Sequence, residues 1–200
     1  MTSTRLVSLT QRAIAAICYE VEPIDGSLRV VVQSELVANE EMPDLGPDPR
    51  TAAVLEHPLD IEEHTASGTE ALMVHHTRRS GLRVASAMRH AVDGPTNTEL
   101  DIYSSPDICR LTIATRLAPG ERLRIVKFLA YGWSSQRTRP ALHDQVVAAL
   151  AAARLTGWEG LQAEQREYLD EFCAGADAEL DGDAEVQQPV RFGLFHLLPP

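Results

Sequence analysis

Apolar and polar positions alternate along much of the first 131 residues, which is the pattern of β-strands with one buried face. The clearest strand runs from Leu28 to Val37, because it is rich in β-branched residues and follows the turn signal Asp25-Gly26-Ser27. Two further strands, Ile108 to Leu117 and Glu121 to Tyr131, flank Pro119-Gly120 and are predicted to form an antiparallel hairpin. Other candidate strands are Ala13 to Val21, Ala71 to Thr77 and Leu82 to His90. Short strands at this spacing indicate a β-sandwich rather than a parallel sheet.

Prolines interrupt the β pattern between Asn39 and Glu63. The stretch contains Pro43, Pro47, Pro49 and Pro58. Because proline fixes φ and lacks an amide donor, we predict one long irregular loop here. The adjacent carboxylates Glu40-Glu41 and Glu62-Glu63 would then be solvated charges on this loop.

Helical spacing replaces the alternation after residue 140. A first helix is predicted behind Pro140, with its apolar face on Leu142, Val146, Leu150 and Ala153. Gly157 is predicted to end it, and a second amphipathic helix follows on Trp158, Leu161, Gln165, Tyr168 and Phe172. The apolar run from Gln187 to Leu198 indicates the start of another helix. That helix carries more apolar surface than a short helix leaves in water, so it needs a partner.

The charge of the chain is concentrated in one segment. The formal net charge is −11, and residues 159–185 contain ten acids and one base, Arg166. The remaining 19 acids and 17 bases give a net charge of only −2. An acidic chain of this kind does not have the basic surface that nucleic-acid binding requires. The outer face of the second helix is therefore interpreted as a solvated helix face.

Cysteine spacing and hydropathy exclude several classes of protein. Cys18, Cys109 and Cys173 are an odd number and widely spaced, so free thiols are expected rather than disulfides or a zinc ribbon. No apolar run approaches the roughly 18 residues that a membrane span needs, and the N-terminus has no signal-peptide core. These features predict a cytoplasmic protein that binds neither membranes nor nucleic acids.

Residues with catalytic or ligand-binding chemistry form none of the common motifs. The sequence contains no nucleophile elbow, Walker loop, dinucleotide fingerprint or zinc-protease helix. His75 and His76 are adjacent, so a strand would direct them to opposite faces, away from a shared metal. Five arginines, Arg78, Arg79, Arg83, Arg122 and Arg124, could face a phosphate or an acidic surface, although extended surface side chains are the simpler interpretation. Trp133 is predicted to pack at the junction with the helices rather than to stack on a sugar.

Several stretches resemble the N-terminal domain of glycoside hydrolase family 65. They include Ser34-Glu35-Leu36-Val37-Ala38-Asn39-Glu40, Thr77-Arg78-Arg79-Ser80-Gly81-Leu82, Lys127-Phe128-Leu129-Ala130-Tyr131, Trp133-Ser134, and the run Gln187 to Leu198. The resemblance extends in order along essentially the whole chain. It implies an incomplete galactose-mutarotase-like β-sandwich over residues 1–135, a helical linker over 136–176, and the first helix of an (α/α)6 barrel over 177–200.

The resemblance also implies an activity for the full-length family. Most members are disaccharide phosphorylases, in which a glutamate of the barrel protonates the glycosidic oxygen while inorganic phosphate attacks the anomeric carbon with inversion. The expected substrate is an α-glucosyl disaccharide, and phosphate is a co-substrate rather than a cofactor. No residue of this chain matches the catalytic glutamate or the phosphate-binding residues. We therefore assign no catalytic, cofactor or metal residue and expect the chain to be inactive alone.

Two other interpretations stay open. The sandwich could be a non-catalytic module that binds carbohydrate or pairs with another subunit, for example in a homodimer. A complete small hydrolase is the third interpretation, with Glu62 and Glu63 as its candidates. Because the family has further strands before Leu6, and because the run from Gln187 has no partner, we also expect an exposed sheet edge and self-association.

Overall fold

The computed structural model describes residues 1–40 and 57–176, together with Pro189, Phe192 and Gly193. Within these residues it contains nine strands and one long helix. The strands are β1 (Thr2–Val7), β2 (Ile14–Val21), β3 (Leu28–Val37), β4 (Leu59–Ser67), β5 (Glu70–Thr77), β6 (Arg83–Asp93), β7 (Glu99–Ser105), β8 (Ile108–Leu117) and β9 (Leu123–Ser134). The helix is α1 (Arg139–Ala176).

The strands form two antiparallel sheets, so the predicted β-sandwich is confirmed. The main sheet has six strands in the order β1-β2-β9-β6-β5-β4. The small sheet has three strands in the order β3-β8-β7. Two groups of buried side chains hold the sheets together. One is centred on Leu111, Ile113, Leu117, Leu123 and Ile125, and the other on Leu36, Ala71, Met73, Met88 and Cys109.

The predicted hairpin between β8 and β9 is wrong, although both strands are present. β8 pairs with β3 and β7 in the small sheet, whereas β9 pairs with β2 and β6 in the main sheet. The turn at Pro119-Gly120 therefore carries the chain from one sheet to the other. Each strand has an apolar face, and placing the strands in opposite sheets lets Leu111 and Ile113 pack against Leu123 and Ile125. In a hairpin, β8 and β9 would be neighbours in one sheet, and their apolar faces would both point to the same side of that sheet.

The proline-rich loop is shorter than predicted. Residues 41–56 lie outside the described part of the chain, but β4 already begins at Leu59 and contains Glu62 and Glu63. A register irregularity between Ile61 and Glu63 disturbs the alternation of β4. The hydrophobic pattern of the sequence therefore does not predict this strand. Strands β1 and β7 also escaped prediction, because their residues are mostly exposed and polar.

Helix α1 covers the face of the main sheet that is turned away from the small sheet. Leu142, Val146, Leu150, Ala153 and Leu161 are buried against side chains of β2, β5, β6 and β9. Strand β9 is consequently buried on both faces over much of its length, with Phe128 towards the helix and Ile125 towards the small sheet. The architecture is thus three layers, a small sheet, a main sheet and a helix.

Gly157 divides α1 into two helical segments, as predicted. Its φ of 70° and ψ of 174° are not helical, and a positive φ of this size favours glycine over residues that carry a Cβ. The predicted helix from Gln187 to Leu198 lies outside the described residues except at Pro189, Phe192 and Gly193. All three cysteines are free, as expected, with Cys18 and Cys109 buried and Cys173 exposed.

One edge of the main sheet is formed by β1, which pairs only with β2 among the described strands, and the other edge is formed by β4. The residues of β1 are largely exposed. The described part of the chain contains no helix long and apolar enough to cross a membrane.

Candidate functional site

The densest group of charged side chains lies where the main sheet meets the start of α1. We call it the junction cluster, and it contains Asp60, Glu62, Glu63, His76, Arg83, Arg139 and His143. Strand β4 supplies the acids, β5 and β6 supply His76 and Arg83, and the first turns of α1 supply the remaining bases. This arrangement corrects the prediction that Glu62 and Glu63 are solvated loop carboxylates.

Glu62 is held by Arg83 in a two-point ion pair. The Arg83 Nε and Nη2 atoms donate to the two Glu62 carboxylate oxygens at 2.5 and 2.8 Å, and Nη1 donates to the carbonyl of Arg137 at 2.7 Å. The hydrogen bond from Arg83 is the main reason why the pKa of Glu62 is lowered below its ordinary value. Arg83 therefore ties β4 to the loop that precedes α1.

Glu63 contacts the helix directly. His143 Nδ1 lies 3.0 Å and Arg139 Nε lies 3.5 Å from its carboxylate oxygens. Arg139 also donates to the backbone carbonyl of Glu62 at 3.2 Å. The irregularity in β4 lets these two adjacent acids find different partners, Arg83 for Glu62 and His143 for Glu63. The pattern along the chain does not indicate the second pair, because Glu63 and His143 are 80 positions apart.

The junction cluster does not have the properties of a glycosidase site. A general acid in such a site needs a raised pKa so that it still carries its proton near neutral pH. Glu62 has the opposite shift, and its two oxygens are already paired with Arg83. Both acids instead connect the sheet to the helix. The hypothesis of a complete small hydrolase thus loses its two candidates.

The adjacent histidines point to opposite faces of β5, as predicted. His75 is buried on the side of the small sheet, where its Nε2 lies 3.0 Å from the Pro106 carbonyl. His76 points to the junction cluster, where its Nδ1 lies 3.4 Å from a Glu62 oxygen. Among the residues that the structure describes, no group of three or more His, Cys, Asp or Glu side chains could hold a metal ion.

A second polar group lies between the two sheets around His90. His90 Nε2 is 2.7 Å from the Ser34 hydroxyl, and its Nδ1 is 3.0 Å from the Thr69 carbonyl. Since a carbonyl only accepts, Nδ1 carries the proton and donates to Thr69, and Ser34 donates to Nε2. Nearby, Lys127 donates to the Glu35 carbonyl at 2.5 Å, and burial lowers its pKa to about 8.

The Ser34–His90 pair has the spacing of a nucleophile and its base but not the chemistry. Burial lowers the pKa of His90 to about 4, so the imidazole is a poor proton acceptor near neutral pH. The ring is buried between the sheets, and its second nitrogen meets a backbone carbonyl instead of the carboxylate found in triads. We interpret the pair as a structural connection between β3 and β6.

His90 predicts an acid-sensitive stability. The unfolded chain takes up the proton near the ordinary pKa of 6.5, whereas the folded protein takes it up only near pH 4. Stability is therefore complete above about pH 6.5 and is lost as the pH falls towards 4, by about 3 kcal/mol for this group. Urea unfolding between about pH 7 and pH 5 measures the slope. A His90→Gln variant should show a shallower slope, and equal slopes in both proteins would contradict the assignment.

Most of the candidate arginines form ion pairs within the described chain. Arg78 Nε lies 2.9 Å from Asp60, Arg122 lies 3.4 Å from Glu20, and Arg124 pairs with Glu20 and Glu159. Arg124 thus connects β9 with α1 rather than presenting a free charge. These pairs disfavour a phosphate site on the arginines of the sheets.

The prediction that Trp133 packs at the junction is wrong for the described residues. Trp133 is 70% exposed on β9, and Tyr131 on the same side of that strand is 42% exposed. The residue between them, Gly132, is buried under α1. Nothing in the sequence pattern distinguishes these aromatic residues from core residues, because their exposure depends on how far the small sheet extends.

The three-layer fold defines a β-sandwich domain with a supporting helix. Residues 1–172 match glycosyl hydrolase family 65, N-terminal domain. The chain belongs to this family, and the resemblance in the sequence is confirmed.

Similar proteins place this domain within longer chains. It is 55% identical over 196 residues to an uncharacterised glycosyl hydrolase of Mycobacterium leprae, covering 98% of this chain and 25% of that protein. It is 25% identical over 195 residues to an alpha,alpha-trehalose phosphorylase of Thermoanaerobacter brockii, covering 97% and 25% of the two chains. The chain thus spans about a quarter of the length of these relatives.

The solved structure of a putative kojibiose phosphorylase from the human microbiome has the same fold. It superposes with a TM-score of 0.82 at 14% sequence identity, over 97% of this chain and 24% of that one.

Proposed function

We propose that this chain is the N-terminal region of a disaccharide phosphorylase of family 65 and has no catalytic activity by itself. The observation that carries the proposal is the family match over residues 1–172, in a chain that spans a quarter of its relatives' length. The similarity to a trehalose phosphorylase supports phosphorolysis as the reaction. The division into a sandwich over 1–135, a linker over 136–176 and the start of a barrel over 177–200 is part of this proposal, as is a cytoplasmic location.

The reaction of the full-length enzyme would be inverting phosphorolysis of an α-linked glucose disaccharide. An oxygen of inorganic phosphate forms a bond to the anomeric carbon as the glycosidic C–O bond breaks, and a general acid gives its proton to the departing oxygen. The products are glucose 1-phosphate and glucose. The described clusters of this chain provide neither role, since Glu62 is held as a carboxylate by Arg83 and His90 is a weak base.

Incubation with phosphate and disaccharide tests this proposal. The purified 200-residue chain should release no glucose 1-phosphate from trehalose, kojibiose or maltose above the enzyme-free blank. The trehalose phosphorylase of Thermoanaerobacter brockii serves as the positive control for the assay. Phosphate-dependent release of glucose 1-phosphate by the chain would overturn the proposal. Release of glucose without phosphate, abolished by Glu62→Gln or Glu63→Gln, would also overturn it and would restore the small-hydrolase hypothesis.

A second candidate function is carbohydrate binding by the sandwich alone, which the exposure of Tyr131 and Trp133 favours. Aromatic rings with a solvent-exposed face can stack on sugars. Calorimetric titration with millimolar trehalose or kojibiose should then give a heat that Trp133→Ala abolishes. The absence of heat at these concentrations would contradict the candidate function.

A further inference from the structure

The single lysine of this chain lies between the two sheets. Lys127 is the only lysine in the sequence, and it lies on the side of β9 that faces the small sheet. Its Nζ donates to the Glu35 carbonyl of β3 at 2.5 Å. Within the main sheet, Lys127 is opposite Ile17 of β2 and His90 of β6. The amine thus connects the two sheets beside the Ser34–His90 pair.

The surroundings of the amine favour its neutral form. Among the described residues no carboxylate lies within ion-pair distance of the Lys127 Nζ, since the Glu35 side chain is paired with Arg110. Burial lowers the pKa of Lys127 to about 8, although the charge of Glu35 opposes this shift. Near pH 7.5 about a quarter of the amine is therefore unprotonated, compared with about 0.1% of an ordinary lysine.

The amine lies where the cover of the small sheet ends. Two positions back along β9, Ile125 is only 3% exposed, whereas Tyr131, four positions further on, is 42% exposed. All three side chains are on one side of β9, because alternate residues of a strand point the same way. Lys127 itself is partly exposed. A small reagent can therefore approach the amine from the end of the sandwich that carries Tyr131 and Trp133.

A second cation lies in the same row of the main sheet. Arg5 of β1 is opposite Ile17, which is in turn opposite Lys127. Opposite residues point to the same side of a sheet, and neighbouring strands are about 4.8 Å apart, so the backbones of Arg5 and Lys127 lie about 10 Å apart. Arg5 is exposed, and its side chain makes no hydrogen bond or ion pair with the described residues. Its guanidinium is thus free to attract an anion towards the amine.

We propose that Lys127 is a modification site that takes an acyl group from small anionic acyl donors, with acyl phosphates as the chemical class. The unprotonated Nζ attacks the carbonyl carbon of the donor, and a C–N bond forms as the C–O bond to phosphate breaks. Inorganic phosphate leaves with that electron pair and takes up the proton that the nitrogen loses. The resulting amide is uncharged and keeps one N–H, which can still donate to the Glu35 carbonyl.

Acetylation of the 200-residue chain by acetyl phosphate tests the proposal. Arg79→Lys supplies the matched control, because Arg79 is exposed in the turn after β5 and makes no ion pair with the described residues. The variant then carries an ordinary amine as well as Lys127. Peptide mass spectrometry at pH 7.5 should show Lys127 acetylated at least about tenfold faster than the introduced amine. That ratio should fall at least about tenfold between pH 7.5 and pH 10, where the control amine also loses its proton.

Two results would overturn the site. Lys127 that reacts no faster than the introduced amine at pH 7.5 is not an activated nucleophile. A ratio that stays constant between pH 7.5 and pH 10 means that the difference does not come from the protonation of Lys127. Arg79 is an exposed turn residue, so the variant should keep the circular dichroism spectrum of the native chain.

Arg5→Gln tests the anionic class of donor. The variant should slow acetylation of Lys127 by acetyl phosphate at least about threefold and leave the rate with the neutral reagent 4-nitrophenyl acetate unchanged, because only the phosphate is attracted by the guanidinium. An unchanged rate with acetyl phosphate overturns this class of donor. Equal slowing with both reagents also overturns it, since Arg5 would then shape the site instead of attracting the donor.

Discussion

A Trp158→Ala variant is expected to unfold with about 3–5 kcal/mol less free energy than the native chain, the largest effect of any single substitution that we predict. Trp158 follows the break at Gly157 and is only 6% exposed. It belongs to the cluster between α1 and the main sheet, with Leu161 of the helix and Ile14 and Ala16 of β2. Removing the indole leaves a cavity that the two stiff layers cannot close.

The second tryptophan of the chain is the matched control. Trp133→Ala removes the same side chain from an exposed position, so it should change the free energy of unfolding by no more than about 0.5 kcal/mol. Urea unfolding followed by circular dichroism compares the two variants, and the thermal midpoint of Trp158→Ala should fall by about 10 °C. Similar losses in both variants would mean that the helix does not pack on the sheet as described.

A Gly132→Val variant is expected to lose about 1–3 kcal/mol of stability through overpacking. Gly132 lies in β9, directly under α1. A Cβ at this position would lie 3.2 Å from Val146, 3.3 Å from Leu142 and 3.4 Å from Gln145. A Cβ alone makes these contacts tight, and the two further methyl groups of valine would push the helix from the sheet. The close approach of helix and strand therefore depends on a residue without a side chain.

Glycine at position 175 provides the contrast. A Cβ there would meet no atom within 4 Å, and α1 includes this residue. Gly175→Ala should leave the stability unchanged or raise it by up to about 1 kcal/mol, since alanine is the better helix former. Chemical unfolding of both variants checks the pair of predictions. A Gly132→Val protein as stable as the native chain would show that α1 can shift without cost.

These effects concern the helix, which two groups of side chains hold against the sandwich. The junction cluster fixes the start of α1 through Arg83 and His143, and the cluster around Trp158 fixes its second segment. The charged side chains that first suggested catalysis thus hold the helix in place.

The individual elements were largely predictable from the chain. Strands β3, β8 and β9 bury one or both faces with β-branched and aliphatic residues, so their alternation is strong. The helical segments and the break at Gly157 follow from local spacing and from the freedom of glycine. Strands β1, β4 and β7 were missed because most of their side chains are exposed or only partly buried, which leaves no apolar period to detect.

The functional surfaces were less predictable, because they depend on residues far apart in the chain. Glu63 meets His143, and Ser34 meets His90, across separations of 80 and 56 positions. The exposure of Trp133 depends on where the small sheet ends. The residues next to Trp133 in the sequence do not predict that position.

The sequence by itself determined the β-sandwich, the two helical segments and the family, because these depend on local periodicity and on motifs along the chain. Only the tertiary structure decided that β8 and β9 belong to different sheets, that Glu62 and Glu63 are bound to bases, and that an aromatic face stays open. The physical reason is that burial and charge pairing are set by which surfaces meet, and a pattern along one strand does not specify its partner.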